Sequence, residues 1–149
     1  MNLSPHFTLA EFTRSDTAKA KGIDNQPGAV HLANLTALAR TLEQVRKLLG
    51  SPIIITSGYR SPALNKAVDG SDTSSHSHGL AADFHCPGYG NDLQVCDAIV
   101  RAGIRFDQII YEQGARGNTW VHLGIGDKMR GEVLSWRSGR GYRHGLTKI

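Results

Sequence analysis

An α+β fold is predicted from three features of the sequence. Residues 27–49 carry apolar side chains at three- and four-residue intervals, short β-branched or alternating runs recur between residues 53 and 125, and polar or glycine-containing turns separate them. Helices covering one face of a small antiparallel sheet satisfy that order of elements. With 149 residues, 40% of them hydrophobic and 20% charged, the chain suits one compact core and a single domain over 1–149. No repeat, low-complexity tract or long linker divides it.

The opening stretch, 7–24, mixes apolar Leu9, Phe12 and Ala18 with capping residues Thr8 and Ser15, which predicts one or two short helices. Leu32, Leu35, Leu38, Leu42, Val45 and Leu49 then form a single apolar stripe, and Gly50 and Pro52 end that helix. Ile53, Ile54 and Ile55 read as a buried strand that closes in the turn Thr56-Ser57-Gly58. Ser61-Pro62 starts a short helix to about residue 68, and 69–75 is a polar loop. Strands are expected at 80–85, 107–112 and 119–125. A helix at 92–102 places Leu93, Cys96, Ile99 and Val100 on its apolar side.

Residues 1–16 lack a basic run followed by an apolar core, so no secretory signal is visible, and no membrane span is expected. Cys86 and Cys96 are read as reduced and half-buried, although pairing depends on where the fold puts them. The formal charge of +4 favours an anionic partner. Arg137, Arg140, Arg143, His144 and Lys148 are expected to be solvated surface. No stacking aromatics or nucleic-acid motif accompany them, so no nucleic-acid partner is expected.

The segment 74–83, Ser-Ser-His-Ser-His-Gly-Leu-Ala-Ala-Asp, carries the densest chemistry. In a strand at 80–85, Ala81, Asp83 and His85 share one face while Leu80, Ala82 and Phe84 share the other. Gly79 lets the preceding loop turn tightly, so His76 or His78 can fold back toward the Asp83 carboxylate. In 119–125, Trp120, His122 and Gly124 share a face, and Val121, Leu123 and Ile125 pack inward. Two imidazoles and one carboxylate are a borderline N/O donor set suited to zinc, with a fourth position left for water. His6, His31 and His144 are expected to be ordinary surface or hydrogen-bonded histidines.

The string from Ser74 to Asp83 resembles the Ser-x-His-x-x-Gly-x-Ala-x-Asp signature of the M15 metallopeptidases, the D-Ala-D-Ala carboxypeptidase and L-alanyl-D-glutamate endopeptidase family. The resemblance implies that His76 and Asp83 are zinc ligands, with His76 chosen over His78 by its offset to Gly79 and Asp83. Trp120-Val121-His122 resembles the family's Trp-x-His segment and supplies the third ligand. The run from Thr56 to Pro62 resembles the turn that delivers an active-site arginine, here Arg60. Phe7-Thr8-Leu9-Ala10-Glu11-Phe12 and Asp24-Asn25-Gln26-Pro27 look like the subgroup with many phage-encoded members, so the likeness spans about 6–125. It implies a hedgehog/D,D-peptidase-like fold and one zinc ion.

The sequence departs from the family pattern at Thr119, where many members carry an acid three residues before the last zinc histidine. Another subgroup places the acid at the end of the preceding strand, which Asp107-Gln108-Ile109-Ile110-Tyr111-Glu112 resembles. Glu112 is therefore the expected general base, brought back beside His122 by a hairpin over 114–118. Arg60 would stabilise the oxyanion or hold a substrate carboxylate. Ser74, His78 and His85 are candidate substrate contacts. The resemblance implies hydrolysis of a peptide bond in bacterial peptidoglycan, as in a phage endolysin made in the host cytoplasm and released to the cell wall through a holin; a monomer is the simplest expectation. A non-catalytic zinc-containing wall-binding module and a tail-associated wall hydrolase are the alternatives.

Overall fold

The computed structural model describes residues 1–71 and 73–149. A short pair of strands, β1 (Asn2–Ser4) and β2 (Phe7–Thr8), leads into helices α1 (Leu9–Thr13), α2 (Asp16–Lys21) and α3 (Ala29–Leu49). Strand β3 (Ile54–Ser57), helix α4 (Pro62–Ala67), a 3-10 turn (Ser75–His78) and strand β4 (Ala81–His85) follow. Helix α5 (Asp92–Arg101) and strands β5 (Gln108–Gln113), β6 (Thr119–Gly124), β7 (Glu132–Arg137) and β8 (Gly141–His144) complete the order. Of the polar loop expected at 69–75, Asp72 lies outside the described residues; Ser75 already belongs to the 3-10 turn.

Local chemistry explains the helices. Thr8 and Glu11 form a reciprocal capping box at the start of α1, and the Ser15 hydroxyl accepts from the Ala18 amide at the start of α2. The α3 stripe buries Leu35, Leu38, Leu42, Val45 and Leu49, and Gly50 ends the helix at φ 65°. Asn91 and Gln94 cap α5, whose buried side is centred on Val95, Cys96 and Ile99; Leu93 and Val100, expected on that side, are only partly buried.

The main sheet has the order β3-β4-β6-β5-β7-β8. Every neighbouring pair is antiparallel except β5 and β7, which run parallel. The α+β class holds, and the sheet is larger than the sequence suggests, because 132–144 forms a hairpin beyond β5. The chain leaving β6 passes the end of β5, so β7 enters on the far side of β5 in the same direction. The isoleucine run also differs from expectation. β3 is an edge strand, so Ile53 and Ile55 are buried while Ile54 is 48% exposed.

Pleating divides the sheet into an oily side and a working side. Ala82, Phe84, Ile109, Tyr111, Val121 and Leu123 point into one core with the buried stripe of α3 and with Val95 and Ile99 of α5. Asp83, His122 and Glu112 occupy alternate positions that face the other way. Cys86 and Cys96 are both buried and unpaired, and burial pushes both thiols upward in pKa. Among the described residues, no helix is long and apolar enough to cross a membrane.

Candidate metal centre

Strand register places Asp83 directly opposite His122, and His122 directly opposite Ile110, so adjacent strands deliver the acid and one imidazole to the same spot. His76 arrives from the 3-10 turn. The Ser74 hydroxyl caps that turn by accepting from the His76 amide at 3.3 Å, and Gly79 ends it at φ 71°. A Cβ on Gly79 would sit 2.7 Å from the His31 carbonyl oxygen of α3, so only glycine fits between the turn and the helix. The tight approach inferred from sequence is therefore real, and it tips His76 inward while His78 stays outside.

The donor atoms of His76, Asp83 and His122 all lie within 4.8 Å of one another. Asp83 Oδ1 is 3.2 Å from His76 Nε2 and 3.0 Å from His122 Nδ1. His76 Nδ1 lies 2.8 Å from the Gly58 carbonyl, which can only accept, so that nitrogen carries the hydrogen. A neutral His76 ring then presents the Nε2 lone pair to a carboxylate oxygen. Two lone pairs at that distance repel unless a cation stands between them. The cluster fits a divalent ion on this ground, and its imidazole and carboxylate donors suit zinc. His76, Asp83 and His122 are each at least 91% buried, so little solvent competes for the donors.

Proton and metal compete for this place. Burial alone would raise the Asp83 pKa, but the charge of His76 and the hydrogen bond from His122 outweigh it, and the carboxyl is held well below its ordinary range. Burial alone would lower His122, but the Asp83 carboxylate beside it raises it above the ordinary histidine value. Without metal, the His122 proton thus stabilises the fold fully below the ordinary pKa, and that contribution is lost as pH climbs through the raised one.

Arg60 closes the cluster from the side. Its Nη2 is 4.0 Å from Asp83 Oδ2, its Nη1 donates to Asn65 Oδ1 at 3.2 Å, and its Nε donates to the Ser57 hydroxyl at 3.4 Å. Asn25 secures the turn beneath it: the Asn25 amide donates to the Thr13 and Tyr59 carbonyls and accepts from the Ser61 amide. The Asp24-Asn25-Gln26-Pro27 segment thus has a physical task in holding the Arg60 turn. Sequence reasoning missed Asn65, whose contact with Arg60 depends on how α4 packs.

Glu112 and Arg60 line one cleft with the cluster, about 630 Å3 in volume and bordered also by Ser74, Trp120, Arg130 and Tyr142. The Trp120 indole N–H donates to Glu112 Oε2. Burial and the nearby Asp83 charge raise the Glu112 pKa above the ordinary glutamate value, against the opposing pull of His122, Trp120 and Arg60. The two remaining candidates lie elsewhere. His78 is exposed, with its ring against His31 and its carbonyl accepting from Asn34. His85 Nδ1 is 2.9 Å from Asp92 Oδ1, and the Thr119 hydroxyl donates to the other Asp92 oxygen. Neither borders the cleft, and Thr119 is committed to Asp92.

Gly70 sits where a methyl group would strike this apparatus. A Cβ there would lie 1.9 Å from Asn65 Oδ1 and 2.8 Å from Arg60 Nη1. Gly70→Ala is expected to displace Asn65 and swing the guanidinium, lowering kcat/KM about tenfold to a hundredfold. Stability should fall by only about 1–3 kcal/mol. Steady-state kinetics beside urea unfolding will separate the two effects.

An α+β sheet that brings two buried imidazoles and a carboxylate together, with a second carboxylate of raised pKa in the same cleft, fits the class of metal-dependent hydrolases. The family model described as Peptidase M15 matches residues 5–124, and the chain belongs to this family of peptidases. A search of curated proteins gave no match.

Because metal binds only the unprotonated imidazole, zinc affinity is expected to weaken about tenfold for each pH unit below the raised His122 pKa. Calorimetric titration in buffers of differing ionisation enthalpy will check this, since uptake in that range must release protons.

Proposed function

We propose that this chain is a zinc peptidase acting on the stem peptide of bacterial peptidoglycan, working as a single domain and a monomer. His76, Asp83 and His122 would hold one zinc ion. Such an ion supplies Lewis acidity, polarising the scissile carbonyl and making water acidic enough to attack near neutral pH. Glu112 takes the proton of the attacking water and returns it to the departing amine. Trp120 fixes one Glu112 oxygen and leaves the other free for that transfer. Arg60, held by Asn65 and Ser57, stabilises the developing oxyanion or grips a substrate carboxylate.

The observation that carries this reading is a carboxylate of raised pKa in the same cleft as the converged His-Asp-His donors. A site that only stores metal has no use for a proton acceptor beside it. The peptidoglycan substrate rests on the resemblance of the motifs 74–83 and 120–122 to wall-cleaving members. The opening segment 7–12 further supports a phage endolysin that reaches the wall through a holin.

Mass spectrometry of purified peptidoglycan after digestion with the zinc-loaded protein tests the proposal. New termini within the stem peptide are expected, and their position identifies the bond. Intact fragments in the presence of bound zinc would favour a non-catalytic wall-binding module instead. Lysis on co-expression with a holin tests the biological role.

A further inference from the structure

Three aromatic side chains cross the working face of the sheet in one row. Glu112 is the register partner of both Trp120 and Trp136, and Trp136 is the partner of Tyr142, so the row runs over β6, β5, β7 and β8. Ring centroids are 6.5 Å apart from Trp120 to Trp136 and 6.4 Å from Trp136 to Tyr142, with successive planes tilted by 52° and 50°. All three rings border the cleft, and Tyr142 is 61% exposed. The core helices pack on the opposite side of the sheet.

Leaving Tyr142 exposed and the two indoles only half-buried forgoes part of the gain from burial. A continuous aromatic strip at the rim of a reactive cleft is what a ligand with apolar faces would cover. The proposed substrate has two parts, and they differ in this respect. Its stem peptide offers methyl groups, carboxylates and an amine, none of them an apolar face of ring size. Its amino-sugars present C–H faces of ring size with hydroxyl and amide groups around the edge. Such faces rest on indole and phenol rings, while the polar edge stays hydrated. Of the strands in the row, β6, β5 and β7 are interior and already paired on both sides; β8 is the edge, and a strand added there would lie beside β8 in the plane of the sheet rather than across the rings.

The geometry points to Trp120, Trp136 and Tyr142 as a sugar-binding ledge that seats the amino-sugar carrying the stem peptide. This inference rests on the peptidoglycan reading above and adds the second recognition element of the same substrate. With strands about 4.8 Å apart and about 3.4 Å per residue, the ledge begins roughly 7 Å from His122 and reaches about 16 Å at Tyr142. An extended stretch of about two to five residues thus spans the distance from the metal centre to the ledge.

The test uses the full-length zinc-loaded protein, a muramyl disaccharide bearing the stem peptide, and the same peptide without sugar. The ratio of kcat/KM for the two substrates should favour the sugar-bearing one by about tenfold and fall toward one in Tyr142→Ala and Trp136→Ala. Tyr142 is exposed enough that its truncation should leave the fold in place. A ratio unmoved by either variant overturns the ledge. Binding gives an independent arm, because the only two tryptophans in the chain both belong to the row. Peptide-free muramyl disaccharide should change the intrinsic tryptophan fluorescence saturably, with about tenfold weaker binding in Tyr142→Ala. No fluorescence response overturns the ledge as well. Saturable disaccharide binding by a protein that cleaves neither substrate would uphold the ledge and refute the peptidase reading alone.

Discussion

Asp83→Asn will abolish both zinc uptake and hydrolysis. The substitution keeps the shape of the side chain but removes the only negative charge among the three donors. Asn also brings an N–H₂ group into a space where two imidazole nitrogens converge at 3.0 and 3.2 Å on one oxygen. In the native protein, zinc at a thousandfold excess over its Kd should stabilise the fold by about 4 kcal/mol. At about 2–4 °C per kcal/mol for a chain of this size, that is a rise in Tm of roughly 8–16 °C. Asp83→Asn should show no such rise. Thermal unfolding with and without zinc, beside metal analysis of the dialysed protein, checks both halves. An Asp83→Asn protein that still gains the full increment would remove Asp83 from the ligand set.

Glu112→Gln will keep the metal and lose the reaction. Glutamine can still accept the Trp120 N–H through its carbonyl oxygen, so the side chain should stay in place. It cannot take a proton at neutral pH, and kcat is expected to fall about 10²- to 10⁴-fold with zinc content unchanged. The native enzyme should lose activity on acidification as Glu112 is protonated. Because burial and the Asp83 charge raise its pKa, that loss begins above the ordinary glutamate range. Activity retained in Glu112→Gln at equal zinc occupancy would exclude Glu112 as the base.

The cluster was legible in the sequence because its geometry is mostly local. Only six residues lie between His76 and Asp83, with Gly79 marking the reversal, and the two-residue alternation around Asp83 and His122 put both on the face opposite Val121 and Leu123. The helices announced themselves through caps and the leucine stripe. What escaped notice depends on contacts between distant segments. Asn65 and the Gly58 carbonyl matter only because α4 and the β3 turn pack beside the 3-10 turn. His85 shares a strand with Asp83, but Asp92 at the start of α5 claims its ring. The strands at 132–137 and 141–144 were hidden for another reason. The nearby arginines suggested solvated surface, and Arg140 and Arg143 are indeed exposed, yet Leu134 and Ser135, which precede them in β7, are buried against β5.

During synthesis, every donor of the His-Asp-His cluster leaves the ribosome before the segment that becomes β7. Until β7 arrives, β5 has a bare edge carrying the backbone of Ile110 and Glu112, open to any extended chain nearby. Seating β7 alongside closes that edge and, in the same movement, sets Trp136 next to the base. β7 thus covers a vulnerable strand edge and raises one wall of the cleft together.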